Sequence, residues 1–478
     1  MSTRREEHPP QTPALAFLAA VLSVLSVLAV PALAMAQETP PRILPRANED
    51  PRRWADTNEG VHRLKYIPLG ESGYLSLGGD LRLRLTSVQR DGWRPGEDRL
   101  LNTQRLMGHA EVGGDRWRAF AQLKSGLAQG VGPISPVEQD YLDVHQAFLE
   151  VREVPLGPAE FALRVGRVEV SQGRLLTFRE GPNIRLSHDG LWSQTTLEDT
   201  RLRLFALRPV SIAGGFFDDR SSFDEVLWGG ALRQAFPIDA VDGWDAEAEL
   251  HYFGSHDEGA RYHRGEGVET RHTLSVAVGT GVDTEGLGAD ASFEVAGQFG
   301  AFDGLPIRAF RTSLEAGAQL SNLWSAPRLF VQHDLSSGDR ADTTGLNTYQ
   351  PHYPRGSQFS EFSYLAPANL MVLSPGVELS PRRWMTLRLD AGVFYRASAD
   401  DGLYAMSGAP TLGPGGDDGA DPVGLHVGNQ AGLHLRLQPR QNLTLDLAAV
   451  AWTAGDFPSD LDRAATMFYS SAWLSARF

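Results

Sequence analysis

The sequence contains no cysteine, and this absence excludes disulfide frameworks and every site that depends on a thiolate. A chain without cysteine also suits passage through an oxidising compartment. No later stretch matches the apolar run at residues 14–30, so no further transmembrane helix is predicted. The formal net charge of −15 argues against nucleic acid as a partner.

Motifs with fixed catalytic spacing are also missing. The chain has neither a His-Glu-x-x-His metal motif nor a Gly-x-Ser-x-Gly nucleophile motif, and its 13 histidines are scattered. Acidic residues in the Gly/Pro-rich segment 398–423 suggest a calcium site, but a solvated loop is the simpler interpretation. We therefore predict no enzyme activity, no cofactor and no metal site.

The N-terminus has the order of features of a secretory signal peptide. Arg4 and Arg5 precede the apolar run, and small residues follow up to Ala36. This order predicts a signal peptide over residues 1–36, and a retained membrane anchor is the alternative. Residues 37–73 are rich in Pro, Arg and Asp without a clear period, which indicates a periplasmic lead-in.

From residue 74 onward, short segments alternate apolar and polar residues. In the stretch 75–85, Leu and Gly occupy the odd positions while Ser, Gly, Asp and Arg occupy the even ones. Successive side chains of a strand point to opposite faces, so each such segment has one apolar and one polar face. About 18 segments of this kind continue to Phe478. We predict an all-β, transmembrane antiparallel barrel over residues 74–478, because a soluble β-sandwich needs far fewer strands.

The connections between these segments alternate in length. Long loops are predicted at 209–223, 255–269, 337–368 and 398–423, and short turns lie between them. The segment 301–305 is an exception, being short where a long loop is due. Outer-membrane barrels have short periplasmic turns and longer external loops, so both termini are predicted to be periplasmic.

The polar half of the pattern predicts the residues that line the pore. A water-filled pore selects ions through rings of charge, and arginine can grip a carboxylate with two parallel donors. Basic residues with inward phase are Arg82, Arg84, Arg105, Lys124, Arg164, Arg201, Arg203 and Arg388. Inward acids include Asp80, Glu111 and Asp390, and others cluster at 245–298. Arginines that pair with such acids would brace the wall instead of binding a solute.

Two stretches resemble known proteins. The opening Leu64-Lys65-Tyr66-Ile67-Pro68-Leu69-Gly70 and the segment Arg164-Val165-Gly166-Arg167-Val168-Glu169 resemble alginate-export outer-membrane proteins. The resemblance implies a monomeric barrel of 18 strands with an arginine-lined constriction that passes a polyuronate. It adds Arg167 and Arg174 to the pore cations and Glu169 to their acidic partners.

The combined prediction is a channel of the bacterial outer membrane for export or passage of an anionic polysaccharide, or of a related acidic solute. Its partners would be outer-membrane lipid, lipopolysaccharide, the solute and periplasmic export proteins. A general or small-solute porin of the same fold is the first alternative. An outer-membrane enzyme or adhesin is the alternative from another class.

Overall fold

The computed structural model describes residues 50–56, 60–173, 180–237, 243–341, 344–354, 356, 358–415 and 424–478. The predicted signal peptide, the start of the lead-in and Arg174 lie outside the described residues. So do Asp417, Asp418 and Asp421 of the acidic loop.

The described part of the chain is almost entirely β-sheet. Its strands are β1 (Ile67–Leu69), β2 (Gly73–Gln89), β3 (Arg99–Gly113), β4 (Trp117–Val131), β5 (Asp140–Leu156), β6 (Ala159–Val168), β7 (His188–Leu197), β8 (Thr200–Ser211), β9 (Arg220–Ser221), β10 (Glu225–Pro237), β11 (Trp244–Tyr262), β12 (Gly265–Thr284), β13 (Leu287–Phe302), β14 (Leu305–Gln319), β15 (Arg328–Ser336), β16 (Leu370–Arg382), β17 (Met385–Tyr395), β18 (His426–Arg440), β19 (Leu443–Ala454) and β20 (Met467–Arg477). Single helical turns occur at Pro51–Trp54, Gly60–Leu64, Asp91–Trp93 and Asp456–Ser459. None of the helices in the described residues is long and apolar enough to cross a membrane.

The strands form one closed antiparallel barrel. Each long strand pairs with its neighbours in the chain, β8 pairs with β10, and β2 closes the ring by pairing with β20. With the short strands β1 and β9 set aside, the ring contains 18 strands, as predicted. Closure leaves no unpaired sheet edge, which is the condition for placing strands in lipid.

Alternation along each strand separates a lumen face from an outer face. On β3, Arg105 is 3% exposed while its neighbour Leu106 is 57% exposed. The outer face is a band of large apolar side chains such as Leu149, Val165 and Leu204. Because the side-chain period of a strand is two, the register that places the apolar set outside necessarily places the charged set inside.

One predicted loop is wrong. Residues 255–269 are not a long loop, because β11 continues to Tyr262 and β12 starts at Gly265, which leaves a two-residue turn. The register shifts between Asp257 and Ala260, and this bulge inverts the phase of the strand, so simple alternation no longer reveals it. The predicted short connection near 303 is confirmed. There Asp303 (φ 46°) and Gly304 (φ 81°) form the kind of two-residue hairpin turn that needs positive φ.

The described part of the lead-in is attached to one end of the barrel. Strand β1 pairs with the start of β2. Arg52 forms an ion pair with Glu153 at the end of β5 (2.5 Å) and donates to the Asp115 carbonyl in the β3–β4 turn (3.4 Å). The lead-in therefore lies at the end of the barrel that carries the short turns.

Candidate functional site in the lumen

The predicted pore residues of the described chain lie on the inner face of the barrel except Arg167, which has the phase of the outward-facing Val165 on β6. Arg82, Arg105, Lys124 and Arg164 are buried. The remaining predicted cations of the described residues are half-buried: Arg84, Arg167, Arg201, Arg203 and Arg388. The acids Asp80, Glu111, Glu169 and Asp390 lie beside inner-face cations. The alternating pattern indicates the inner face for Arg82, Arg105, Lys124 and Arg164, whereas Arg167 and Glu169 were predicted from the resemblance alone.

Inner loop A, residues 169–187 between β6 and β7, lies against the inner wall. The Asn183 side-chain amide donates to the carbonyls of Gln104 on β3 (3.0 Å) and Glu138 before β5 (2.9 Å). Ile184 packs on Gly126 of β4 so closely that a Cβ at position 126 would overlap it. Backbone carbonyls and a glycine of the wall therefore hold the described end of loop A inside the lumen.

Inner loop B, residues 337–369 between β15 and β16, covers another part of the wall. Gln350 and Gln298 of β13 are joined by hydrogen bonds of 2.9 Å. The Tyr353 hydroxyl donates to the Glu225 carboxylate of β10 (2.6 Å). A Cβ added to Gly356 would lie 3.8 Å from the Gly181 nitrogen, so loops A and B approach each other there. Together they narrow the lumen.

Burial changes the acid–base behaviour of loop B. Desolvation, together with the nearby Arg271 guanidinium, lowers the pKa of His352 to about 4. The His352 ring stacks on Phe253 at 4.6 Å between centres. Burial likewise raises the pKa of Tyr349 to about 12. Both rings are therefore neutral where they pack at neutral pH.

Five of the nine predicted pore cations among the described residues form ion pairs with carboxylates. Arg105 pairs with Glu180 (2.6 Å) and Asp80 (3.4 Å), and Lys124 pairs with Asp140 (2.9 Å) and Asp219 (2.6 Å). The other pairs are Arg164–Glu150 (3.1 Å), Arg167–Asp189 (2.8 Å) and Arg388–Asp390 (3.4 Å). Buried charges need such partners, so these residues at least brace the wall.

Four lumen arginines have no carboxylate ion pair among the described residues. Arg82 and Arg84 donate instead to backbone carbonyls of loop A, and their guanidinium carbons lie 5.1 and 4.2 Å from the centre of the Trp473 ring. Arg203 on β8 donates to the side chain of Gln194 (3.0 Å). Arg201, also on β8, completes the set. No carboxylate of the described residues lies within 4.0 Å of these four guanidinium groups.

Carboxylates are concentrated on the inner face of β11 and β13. Glu247, Glu249 and Glu294 of β11 and β13 line a cavity of about 230 Å³ beside Gly173 of loop A. Glu249 forms an ion pair with His251 (3.1 Å), and the Ser275 hydroxyl donates to Glu294 (2.8 Å). These carboxylates lie across the ring from β2 but only two strands from β8, and Arg233 of the intervening β10 pairs with Glu247 and Glu249.

Several inner residues were not predicted from the sequence. Arg118 of β4 pairs with Glu111 and Glu150, and Arg185 of loop A pairs with Glu169. Lys65, in the lead-in, is 2% exposed and reaches the inner face beside Gly78. The phase of β4 could have revealed Arg118, but Lys65 and Arg185 lie outside any alternating segment.

The segment Gly166-Arg167-Val168-Glu169 has a physical explanation. Gly166 has φ +132°, and a Cβ there would lie 2.9 Å from the Cα of Phe148 and overlap the Ala147 carbonyl oxygen. Arg167 then reaches Asp189 on β7, while Glu169 meets His145 (2.6 Å) and Arg185 (2.6 Å). The motif is thus the point where β6 ends and loop A turns into the lumen.

A family model described as alginate export matches residues 73–468, which is nearly the whole barrel. The chain belongs to the alginate export family. No curated protein matches it. Among solved structures, it is similar to three outer-membrane proteins of Pseudomonas aeruginosa. OccK9 (OpdG) has a TM-score of 0.57 at 10% identity, covering 84% of this chain and 98% of that one. OccK11 (OpdR) has a TM-score of 0.54 at 13% identity, covering 86% of this chain and 99% of that one. OprD has a TM-score of 0.53 at 13% identity, covering 84% of this chain and 94% of that one.

Identities this low establish the shared fold alone. Family and fold together identify this member of the alginate export family as a channel of the bacterial outer membrane, in contact with lipid and passing solutes. This family and this fold belong to outer-membrane export channels and porins and not to an enzyme class.

Proposed function

We propose that the channel passes an anionic polysaccharide of the alginate type, or a related acidic solute, along the arginines of its lumen. The observation that carries this proposal is the set Arg82, Arg84, Arg201 and Arg203, which has no carboxylate ion pair among the described residues. An excess of cations in the lumen attracts anions and repels cations.

The chemistry of these side chains suits a chain of carboxylates. A polyuronate carries one carboxylate per sugar, and a planar guanidinium can bind each one with two hydrogen bonds. Trp473 lies under Arg84 with 4.2 Å between the guanidinium carbon and the ring centre, and this cation–π contact helps to orient the guanidinium. Water in the lumen weakens each ion pair, so a carboxylate binds and then leaves.

The alternative is a porin of the same fold that is specific for small solutes. The pairing of Arg105, Lys124 and Arg164 with carboxylates favours it, because few cations then stay free along the path. The two inner loops also leave less room than an open pore has.

Conductance in planar bilayers tests the proposal. We expect anion selectivity from the reversal potential under a salt gradient, and reversible block by a linear oligo-uronate but not by a neutral glucan of equal length. Replacing Arg201 and Arg203 together by glutamine should lower the anion-to-cation permeability ratio severalfold, since the field of two charges is lost. Arg382→Gln, at an exposed rim position in the β16–β17 hairpin, removes one charge as a control and should change the ratio little.

Cation selectivity, or equal indifference to uronate and glucan, contradicts the proposal. Block by small monovalent acids together with indifference to oligo-uronates supports the small-solute porin instead.

We also propose the division of the chain into a signal peptide at 1–36, a periplasmic lead-in at 37–73 and the barrel. Support comes from the pairing of β1 with β2 and from Arg52, which ties the lead-in to the end that carries the short turns. N-terminal sequencing of protein extracted from outer membranes should start at Gln37. We further propose that the channel acts as a monomer, contacts lipopolysaccharide and receives its solute from periplasmic export proteins.

A further inference from the structure

Glu180 of inner loop A binds the lumen cations as an acidic solute would. Its Oε1 lies 2.6 Å from Nη2 of Arg105, and its Oε2 lies 2.8 Å from Nη1 of Arg185. The Glu180 side chain is 39% exposed, whereas the Arg105 side chain is 3% exposed. The carboxylate therefore covers the accessible side of a guanidinium that is otherwise enclosed by the wall.

The residues next to Glu180 present neutral oxygens to the same cluster of cations. The carbonyls of Glu180 and Pro182 accept from Arg82 at 2.6 and 2.7 Å. The Gly181 carbonyl accepts from Arg84 at 2.7 Å. One carboxylate followed by several neutral oxygens is also what one sugar of a polyuronate presents.

The cluster is only partly satisfied by the loop. Buried N–H donors at Nε of Arg82, Nε of Arg84 and Nη1 of Arg105 meet no hydrogen-bond acceptor in the part of the chain that the structure describes. Burying a donor without an acceptor is unfavourable. A ligand that carries more oxygens than residues 180–182 would satisfy the cluster better.

We propose that residues 180–182 are a built-in competitor for the carboxylate-binding site formed by Arg82, Arg84 and Arg105, and that a uronate replaces them as it passes. This inference rests on the proposed function, because it requires an anionic solute. When a binding site is occupied by its own chain, the apparent affinity falls by the fraction of time that it is free. The competitor therefore keeps binding weak enough for transport.

The absence of cysteine makes a reversible charge test practical. In Glu180→Cys the competing charge is gone, and a thiol-directed reagent with a sulfonate restores it. A neutral reagent of similar size is the steric control. The readout is the concentration of a linear tri-galacturonate that blocks half of the single-channel current.

We expect the half-blocking concentration to fall about tenfold in Glu180→Cys, since the site is then free more often. The sulfonate reagent should return it to near the wild-type value, and the neutral reagent should not. Glu180→Gln, which keeps an acceptor oxygen for Arg105, should behave like the unmodified cysteine variant. Adding Arg105→Gln should remove the gain, because the competitor acts through that guanidinium.

Glu294→Cys is the matched control, since it removes a lumen carboxylate on the opposite wall. Its general field effect should shift the half-blocking concentration by less than about threefold. An equal shift in the two cysteine variants overturns the inference, because the effect would then be one of net charge only.

Two other outcomes separate this inference from the proposed function. If tri-galacturonate blocks the wild type and Glu180→Cys equally, or blocks the variant less, Glu180 is not a competitor, while the anionic channel stands. If tri-galacturonate blocks neither protein, the proposed function fails and this inference fails with it.

Discussion

Replacing Lys124 by methionine separates the structural role of a lumen cation from a role in transport. The Lys124 ammonium lies 2.9 Å from Asp140 and 2.6 Å from Asp219, and all three side chains are almost fully buried. Asp143 joins them by accepting from the Asp219 backbone N–H (2.9 Å). Methionine keeps the unbranched shape of the side chain but removes its charge.

The expected loss is large. Removing one partner of a buried ion pair costs about 3–5 kcal/mol, because the remaining charge stays buried without compensation. Here two carboxylates lose their shared cation, so the upper end of that range applies. The loss should concentrate where β5 and the 212–224 segment meet, since Asp140 and Asp219 hold these elements together.

The same cluster indicates how the loss can be reversed. Oxygens of Asp140, Asp143 and Asp219 lie within 4.8 Å of one another, which suits a calcium ion bound at 2.3–2.6 Å from each. In detergent, calcium should raise the temperature at which the folded band is lost on gels for Lys124→Met, but not for the wild type. Adding Asp219→Asn should abolish the calcium effect. Arg116→Met, at an exposed site, should match the wild type.

The reasoning is refuted if Lys124→Met melts like the wild type, since the buried carboxylates would then not need the ammonium. An equal calcium response in the variant with and without Asp219→Asn would show that the ion binds elsewhere.

Three further predictions follow from the same structure. Because burial lowers the pKa of His352 to about 4, the unfolded or released loop binds the proton more readily, so the packing of loop B should weaken as the pH falls from about 6.5 to 4. Faster amide hydrogen exchange of residues 348–354 at low pH should report this loosening of loop B. In His352→Phe, which keeps the stack on Phe253, the exchange of these residues should not depend on protonation of residue 352 over that range. Gly166→Ala should lower the yield of folded barrel sharply, because φ +132° strains alanine and the Ala147 carbonyl blocks its Cβ; a yield equal to the wild type would contradict the assigned backbone. Leu106→Arg on the outer face should destabilise the barrel in lipid by about 2–4 kcal/mol if it lies near the bilayer centre, whereas Leu106→Ile should be nearly neutral; urea titration in vesicles measures both.

The periodic part of the fold could be predicted from sequence. All 18 barrel strands and the inner position of Arg82, Arg105 and Lys124 follow from a period of two, which depends only on neighbours in the chain. The period fails where a bulge re-phases a strand, and the extension of β11 to Tyr262 was missed for that reason.

The candidate site could be predicted only in part. Phase places Arg84 inside, but it does not show that Trp473, almost 400 residues later, lies beside it, because that contact exists only after β20 closes on β2. Nor does phase show that Glu180 reaches Arg105, since loop A has no repeating pattern.

By itself, the sequence determined that this protein is a barrel with an apolar outside and a charged inside, because local alternation encodes both faces. Only the tertiary structure decided which inner charges have a carboxylate partner among the described residues and which have none. Ion pairs depend on strand register, ring closure and the path of the inner loops, and these bring together residues that are distant in the chain.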